Sequence, residues 1–442
     1  MTETTASSLA RRVIARLRAE GRQAFLVGGC VRDLLLGQPS KDFDITTDAT
    51  PDSVARLFPG SQTVGAHFGV VLVRDAEAQV EVATFRSDHS YQDGRRPDRV
   101  EFETDPRQDV LRRDFTINAL LMDPESGEVF DYVGGREDLA RGIIRAIGDP
   151  AQRFAEDRLR MLRAIRFAAR LRFDIEPATL HAIRDLHTRI ASVSAERVRE
   201  ELVRILTEGG ARRGFEWLDE TGLLLELLPE VAAMKGVAQP PEFHPEGDVW
   251  IHTLRMLEEL TAPTSTLAWG VLLHDAGKPP TFRVAPDRIR FDGHVGAGVE
   301  IARRILTRVR FSADDAAQIE ALVRNHMRFM DVRKMRESTL RRFLRMPRFD
   351  EHLELHRVDC LSSHRNLDHY QFVKDKLAAL PPEQLRPPRL LTGDDLQAEG
   401  YPAGLLLGKI LRAVEDAQLD GKIHTPEEAR AFVHAEFQLP SM

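Results

Sequence analysis

The stretch that most constrains this chain is Phe25-Leu26-Val27-Gly28-Gly29-Cys30-Val31-Arg32-Asp33, followed by Lys41-Asp42-Phe43-Asp44-Ile45. Ala24 to Val27 is a short apolar run ending in two glycines, the pattern of a strand breaking into a turn. Cys30 to Leu36 carries helical spacing, which Gly37 and Pro39 stop. Asp42 to Thr46 reads as a second strand. Side chains alternate along a strand, so Asp42 and Asp44 share one face and Phe43 packs behind them. Carboxylates spaced about 6–7 Å apart on such a face can hold one Mg²⁺ or a pair of ions. The N–H groups of Gly28 and Gly29 at a helix entrance suit a triphosphate, and Arg32, one turn in, can add charge-assisted bonds. An Asp-x-Asp alone is equally well read as a surface pair; the whole string is not.

The string resembles the nucleotidyltransferase signature of bacterial-type tRNA nucleotidyltransferases (class II CCA-adding enzymes) and of the related bacterial poly(A) polymerases. Further stretches extend the resemblance. Val80-Glu81-Val82 alternates, so Glu81 faces away from its valine neighbours and is the best third carboxylate to join Asp42 and Asp44; an exposed strand Glu is the competing reading. Arg112-Arg113-Asp114-Phe115-Thr116-Ile117-Asn118-Ala119 matches the family's second motif. The resemblance implies that Arg113 faces the triphosphate and that Asn118 holds the sugar or a loop. Arg86 to Val100, polar and rich in breakers, reads as a loop and resembles the flexible loop that the family keeps beside its active site. Asp131-Tyr132-Val133-Gly134-Gly135 resembles the next motif and closes a head near residue 150.

Glu156-Asp157-Arg158-Leu159-Arg160 matches the family's EDxxR motif. The spacing predicts one long helix from Ala155 to Leu171, with Glu156, Asp157 and Arg160 on one face. A carboxylate only accepts hydrogen bonds and a guanidinium only donates. Cytosine and adenine both show an amino donor beside a ring-nitrogen acceptor, whereas uracil and guanine show the reverse. One Asp157/Arg160 pair can therefore select C and A together. Glu156 is expected to orient Arg160, with Arg163 and Arg166 winding toward sugar and phosphates. A surface ion-pair ladder is the competing reading for this helix taken alone.

Composition bounds the rest. With 442 residues the chain is too long for one ordinary domain. Its 42% hydrophobic and 30% charged content, with no membrane-length apolar run, predicts a soluble protein without a membrane partner. Met1 to Ser8 lacks a secretory pattern, and two cysteines cannot build a disulfide framework, which points to a reducing cytoplasm. The net charge is −7, yet RNA binding follows local patches. Arg324 to Arg348 holds nine Lys/Arg against two acids, and Glu156 to Arg213 holds thirteen Arg against nine acids. Solvated helix faces explain either stripe equally well.

After Pro150 the pattern is helical throughout. Ala238 to Gly247, rich in Pro and Gly, reads as a linker. Beyond it His252, His274-Asp275, His294, His326 and Asp359 form the pattern of an HD-type metal phosphohydrolase. Imidazole and carboxylate together suit a divalent transition metal, or Mg²⁺, and ligands from separate helices can converge in a bundle.

The predicted architecture is α+β: a nucleotidyltransferase head with a small mixed β-sheet (1–150), then all-α neck (151–237), HD (248–369) and tail (370–442) domains. The resemblance implies template-independent addition of C, C and A from CTP and ATP to the 3′ end of tRNA, with Mg²⁺ in the head. It also implies a metal-dependent phosphohydrolase activity on RNA ends. Three alternatives stay open. Poly(A) polymerases carry a basic segment where this chain has Gly65-Ala66-His67-Phe68-Gly69-Val70. A split-activity enzyme would add only CC, against which the 86–100 loop argues, or only A. An HD phosphohydrolase could carry the head as a nucleotide sensor.

Overall fold

The Gly-Gly break after Val27 organises the first part of the computed structural model, which describes residues 4–40, 42–64, 69–89, 99–242, 245 and 247–438. The expectations placed on Gly65 to Phe68 and on the tip of the 86–100 loop lie outside these residues. The chain forms two compact units, Met1–Ala232 and Ala233–Met442.

In the first unit, helix α1 (Thr5–Ala19) precedes strand β1 (Ala24–Val27), which breaks into α2 (Gly29–Leu35). There follow β2 (Asp44–Thr47), α3 (Pro51–Leu57), β3 (Gln62–Thr63), β4 (Val70–Arg74) and β5 (Gln79–Thr84). β6 (Arg86–His89) and β7 (Arg99–Phe102) pair as an antiparallel ribbon, so the stretch predicted as loop is strand at both ends. The head continues with α4 (Pro106–Leu111), β8 (Leu121–Met122), β9 (Val129–Phe130) and α5 (Gly135–Arg141). The main sheet runs β3-β4-β5-β2-β1-β8-β9. Its one parallel pair, β2 with β5, sets Asp44 directly opposite Glu81. Val80 and Val82 are buried while Glu81 is exposed, as the alternation predicts.

The predicted long helix from Ala155 to Leu171 is instead two. α6 (Pro150–Glu156) starts on Asp149, which accepts from the Ala151 N–H with Pro at the first position. It stops at Asp157, whose backbone is extended. The Asp157 carboxylate accepts from the Leu159 N–H at 3.1 Å, a local bond that competes with helix continuation. α7 (Arg160–Leu171) then restarts and buries Leu162, Ile165 and Phe167, each contributing about 1.5–3 kcal/mol. α8 (Pro177–Leu186), α9 (Ala195–Thr207), α10 (Ala211–Glu220), α11 (Leu223–Leu227) and α12 (Pro229–Ala232) complete the unit.

The second unit is helical apart from one short ribbon. It holds α13 (Val249–Glu259), α14 (Ser265–Leu273), α15 (Lys278–Thr281), α16 (His294–Arg308) and α17 (Ala313–Asn325). The ribbon pairs Arg283–Val284 with Ile289–Arg290. α18 (Glu337–Leu344), α19 (Phe349–Ser362) and α20 (Asp368–Ala379) close on a core around Phe329, Phe343 and Val373. The last helices, α21 (Pro382–Leu385), α22 (Gly393–Ala398), α23 (Leu405–Leu419) and α24 (Pro426–Glu436), include a separate core around Leu396, Tyr401 and Ile410. Part of the basic stripe is engaged here: Arg342 and Arg345 both pair with Glu415 of α23. Among the described residues no helix is long and apolar enough to cross a membrane.

Candidate active site and metal centre

Gly28 stands at φ +78°, a conformation that favours glycine. A Cβ there would lie 3.6 Å from Arg113 Nη1 and 3.9 Å from Asp44 Oδ2. The turn, the cation of the second motif and the strand carboxylate thus meet at one point. Gly29 opens α2 beside it. Asp42 precedes β2 rather than lying on it, and both Asp42 and Glu81 are exposed. Burial, reinforced by the nearby Glu81 and Asp42 carboxylates, pushes the Asp44 carboxyl up to about 6, while Arg113 opposes the rise. Three hard oxygen donors, two of which raise the proton affinity of the third, are a donor set that fits Mg²⁺. Cys30 is a packing residue whose thiol burial pushes up to about 12.

Arg32 is turned inward, 2% exposed. It donates to Asp33 Oδ1 at 2.8 Å and to Asn118 Oδ1 at 2.6 Å. Asn118 in turn donates to Asp114 Oδ1 at 3.3 Å. Asp114 Oδ2 receives Arg163 Nε and Nη2 at 2.8 and 2.6 Å. Arg32, Asn118 and Arg163 therefore form one line that ties α2 and the second motif to α7. Burial works to raise the Asp114 carboxyl, but Arg163 outweighs it and holds the group at about 2. Asp109 is a second such hub. It is fully buried and accepts from Arg112 and from Arg113 Nη2 at 2.9 Å. Against the pull of burial, Arg113 and Arg112 hold it at about 2. Sequence reasoning assigned neither acid a role. The signal for Asp109 is its spacing, three and four residues before the two arginines on one helical face.

Arg160 donates through Nη1 to Glu156 Oε2 at 2.7 Å and to the Arg153 carbonyl at 3.1 Å, and through Nη2 to the Arg112 carbonyl at 3.1 Å. Asp157 pairs with Arg197 of α9, at 3.2 and 2.8 Å, rather than with Arg160. The helix break at Asp157 is the reason: the two side chains do not share a helical face. Arg166, 5% exposed, donates to Glu201 Oε2 at 2.7 Å and so points into the neck.

The second unit gathers the other predicted residues. His252 lies on α13 and Asp359 on α19, with His252 Nε2 3.2 Å from Asp359 Oδ1. His274 and Asp275 follow α14, His294 opens α16, and His326 caps α17. Gly277 lets the chain approach α16, since a Cβ would meet the His294 carbonyl at 2.0 Å. His274, His294 and His326 each set Nδ1 against a carbonyl three residues earlier, at 2.8, 2.9 and 2.7 Å. A carbonyl requires Nδ1–H, which leaves each Nε2 as a bare acceptor. His294 Nε2 and His326 Nε2 then face each other at 3.4 Å, with Asp275 Oδ1 3.9 and 3.8 Å away. Two lone pairs and a carboxylate oxygen meeting in this way fit a cation between them. Ligand atoms of two groups fall within metal-binding reach, His252/His274/Asp275 and Asp275/His294/His326, and Asp275 belongs to both. Burial pushes the His326 ring down to about 4. Burial opposes ionisation of Asp359 and Asp275, yet the contact with His252 holds Asp359, and the neighbouring His274 ring and Lys278 ammonium hold Asp275, well below the usual carboxylate range.

Known proteins resemble this chain in sequence and fold. Residues 24–145 match the family described as "Poly A polymerase head domain", 172–235 the "Probable RNA and SrmB- binding site of polymerase A", and 248–359 the "HD domain". The CCA-adding enzyme of Lactobacillus helveticus is 44% identical over 227 residues, 51% of this chain and 56% of that protein. The chain spans about half the length of the curated relatives it matches. The Bacillus stearothermophilus CCA-adding enzyme solved in complex with CTP aligns over 98% of both chains, with a TM-score of 0.75 and 28% identity. The Thermotoga maritima CCA-adding enzyme complexed with tRNA shares the fold, at a TM-score of 0.60 and 20% identity over 99% of this chain and 97% of that one. Residues 24–145 thus carry a poly(A) polymerase-type head and residues 248–359 an HD domain, in a chain whose fold is that of a solved CCA-adding enzyme.

Proposed function

We propose that the chain adds C, C and A to the 3′ end of tRNA from CTP and ATP without a nucleic-acid template. The observation that carries this reading is the meeting of Asp44, Glu81, Gly28 and Arg113 at one point, in the same unit as a partly satisfied Asp157/Arg160 edge. Asp42, Asp44 and Glu81 are the ligands for Mg²⁺, which when bound supplies Lewis-acid activation of the attacking hydroxyl and charge neutralisation of the triphosphate. The N–H groups of Gly28 and Gly29, with Arg113 held by Asp109, seat the phosphates. Arg32 and Asn118 act from behind, fixing α2 against the second motif.

Asp157 Oδ1 is filled by Arg197 and the Leu159 N–H, whereas Oδ2 receives only Arg197. One acceptor site is left. Arg160 uses both Nη1 hydrogens and one on Nη2, which leaves a donor on Nη2 and another on Nε. With Asp157 supplying the acceptor and Arg160 the donor, the two complement the amino donor and ring-nitrogen acceptor of C and A and oppose the reversed pattern of U and G. The chain's division into head 1–150, neck 151–237, HD domain 248–369 and tail 370–442 is part of this proposal. So is an HD centre that holds divalent metals and acts on phosphoryl groups at RNA ends, supported by the inward-facing Nε2 atoms.

The test offers tRNA ending before CCA, after C and after CC, with each nucleotide singly and together, and sequences the product ends. Completed CCA ends support the proposal. Runs of A on every substrate, or A added only after CC, would replace it with one of the alternatives.

A further inference from the structure

Lys278 opens α15 and is 7% exposed. Its Nζ donates to Asp275 Oδ2 at 2.7 Å and to Gln239 Oε1 at 2.6 Å, and lies 5.3 Å from the centroid of the Phe291 ring. Gln239 comes from the Pro-rich approach to α13 and is 5% exposed. An ammonium only donates, so the carboxamide must turn its oxygen toward Lys278. Its Nε2, with two hydrogens, is then fixed on the other arm, and it is buried with no hydrogen-bond partner among the described residues. Native structures keep few buried donors without acceptors. Lys278 links this carboxamide to Asp275, the carboxylate that both candidate metal groups share. A carboxamide N–H₂ and an ammonium with one further hydrogen together call for a ligand made of acceptor oxygens.

We propose that Gln239 and Lys278 form an oxyanion pocket at the edge of the HD cluster that receives the non-bridging oxygens of a phosphoryl group. The proposal rests on reading the cluster as a metal centre. It gives Gln239, in a stretch that sequence patterning marks only as a linker, a part in binding. Gln239→Leu keeps most of the volume, removes both donors and touches no metal ligand. Gln239→Glu keeps the acceptor for Lys278 and sets a negative charge against the anion.

Both variants are made in the full chain carrying D42A and D44A, which removes two of the head's metal ligands, and phosphate binding to the metal-free protein is measured and subtracted as the head's own. Calorimetry measures Mn²⁺ uptake, then inorganic phosphate binding to the Mn²⁺-loaded protein, with thermal unfolding as the check on folding. The expected result is Mn²⁺ affinity within twofold of the parent, phosphate affinity at least tenfold weaker in Q239L, and weaker still in Q239E. Phosphate binding at the parent's strength in either folded, Mn²⁺-loaded variant overturns the pocket and leaves the metal centre standing. A parent that takes up no Mn²⁺ overturns the metal centre and the pocket with it.

Discussion

Replacing Asp114 by Asn should destabilise the first unit by an amount that depends on pH. Asp114 takes two hydrogen bonds from Arg163, one from Asn118 and one from the Phe115 N–H. Arg163 holds its carboxyl at about 2 against the raising effect of burial. A depressed carboxyl stabilises the fold above the unfolded value of about 3.9 and loses that contribution as pH falls through the folded value. A difference of roughly two pH units at about 1.4 kcal/mol each gives about 2.6 kcal/mol at pH 7 and about half of that at pH 3. Asn keeps the shape but removes the counter-charge nearest Arg163, leaving it only Glu201 at 3.9 Å, so the loss at pH 7 should be about 3 kcal/mol.

Trp217 is the only tryptophan of the first unit, the others being Trp250 and Trp269. Urea unfolding followed by Trp217 fluorescence in a W250F/W269F background therefore reports on that unit alone. A loss under about 1 kcal/mol at pH 7, or a difference between parent and variant that does not shrink from pH 7 to pH 3, refutes the reasoning.

Other perturbations separate the parts. Gly28→Ala places a side chain at φ +78° against Arg113 and Asp44; it should cost about 1–2 kcal/mol and weaken CTP binding at least tenfold, read by calorimetry. Asp42→Ala should abolish nucleotide addition while sparing any phosphatase activity, and Asp275→Ala should do the reverse; loss of both from one folded variant sinks the two-site account. Glu156→Gln removes the charge that holds Arg153 and Arg160, so the preference for C and A over U and G, measured by misincorporation, should fall about tenfold.

The parts of the site legible in the sequence are those fixed by local chemistry. Gly28-Gly29 marks the strand-to-helix break because few other residues take that turn, and the alternation around Glu81 gives its face. The histidines after α14 and α17 carry their own orienting carbonyls three residues back. Long-range pairing was not legible. Nothing near Asp157 announces Arg197, forty residues on, and the break that separates Asp157 from Arg160 comes from a side-chain bond to Leu159 that helical periodicity does not register. Asp109 and Asp114 look like ordinary helix-end acids until Arg113 and Arg163 are seen closing on them. Gln239 sits in a stretch whose composition says only that the chain turns.

The most direct test of base selection by the protein itself measures binding of CTP, ATP, UTP and GTP, with Ca²⁺ in place of Mg²⁺ and no tRNA present. The account predicts CTP and ATP within about tenfold of each other, UTP and GTP at least about a hundredfold weaker, and the gap lost in D157A. Four nucleotides bound alike by the folded parent would contradict it.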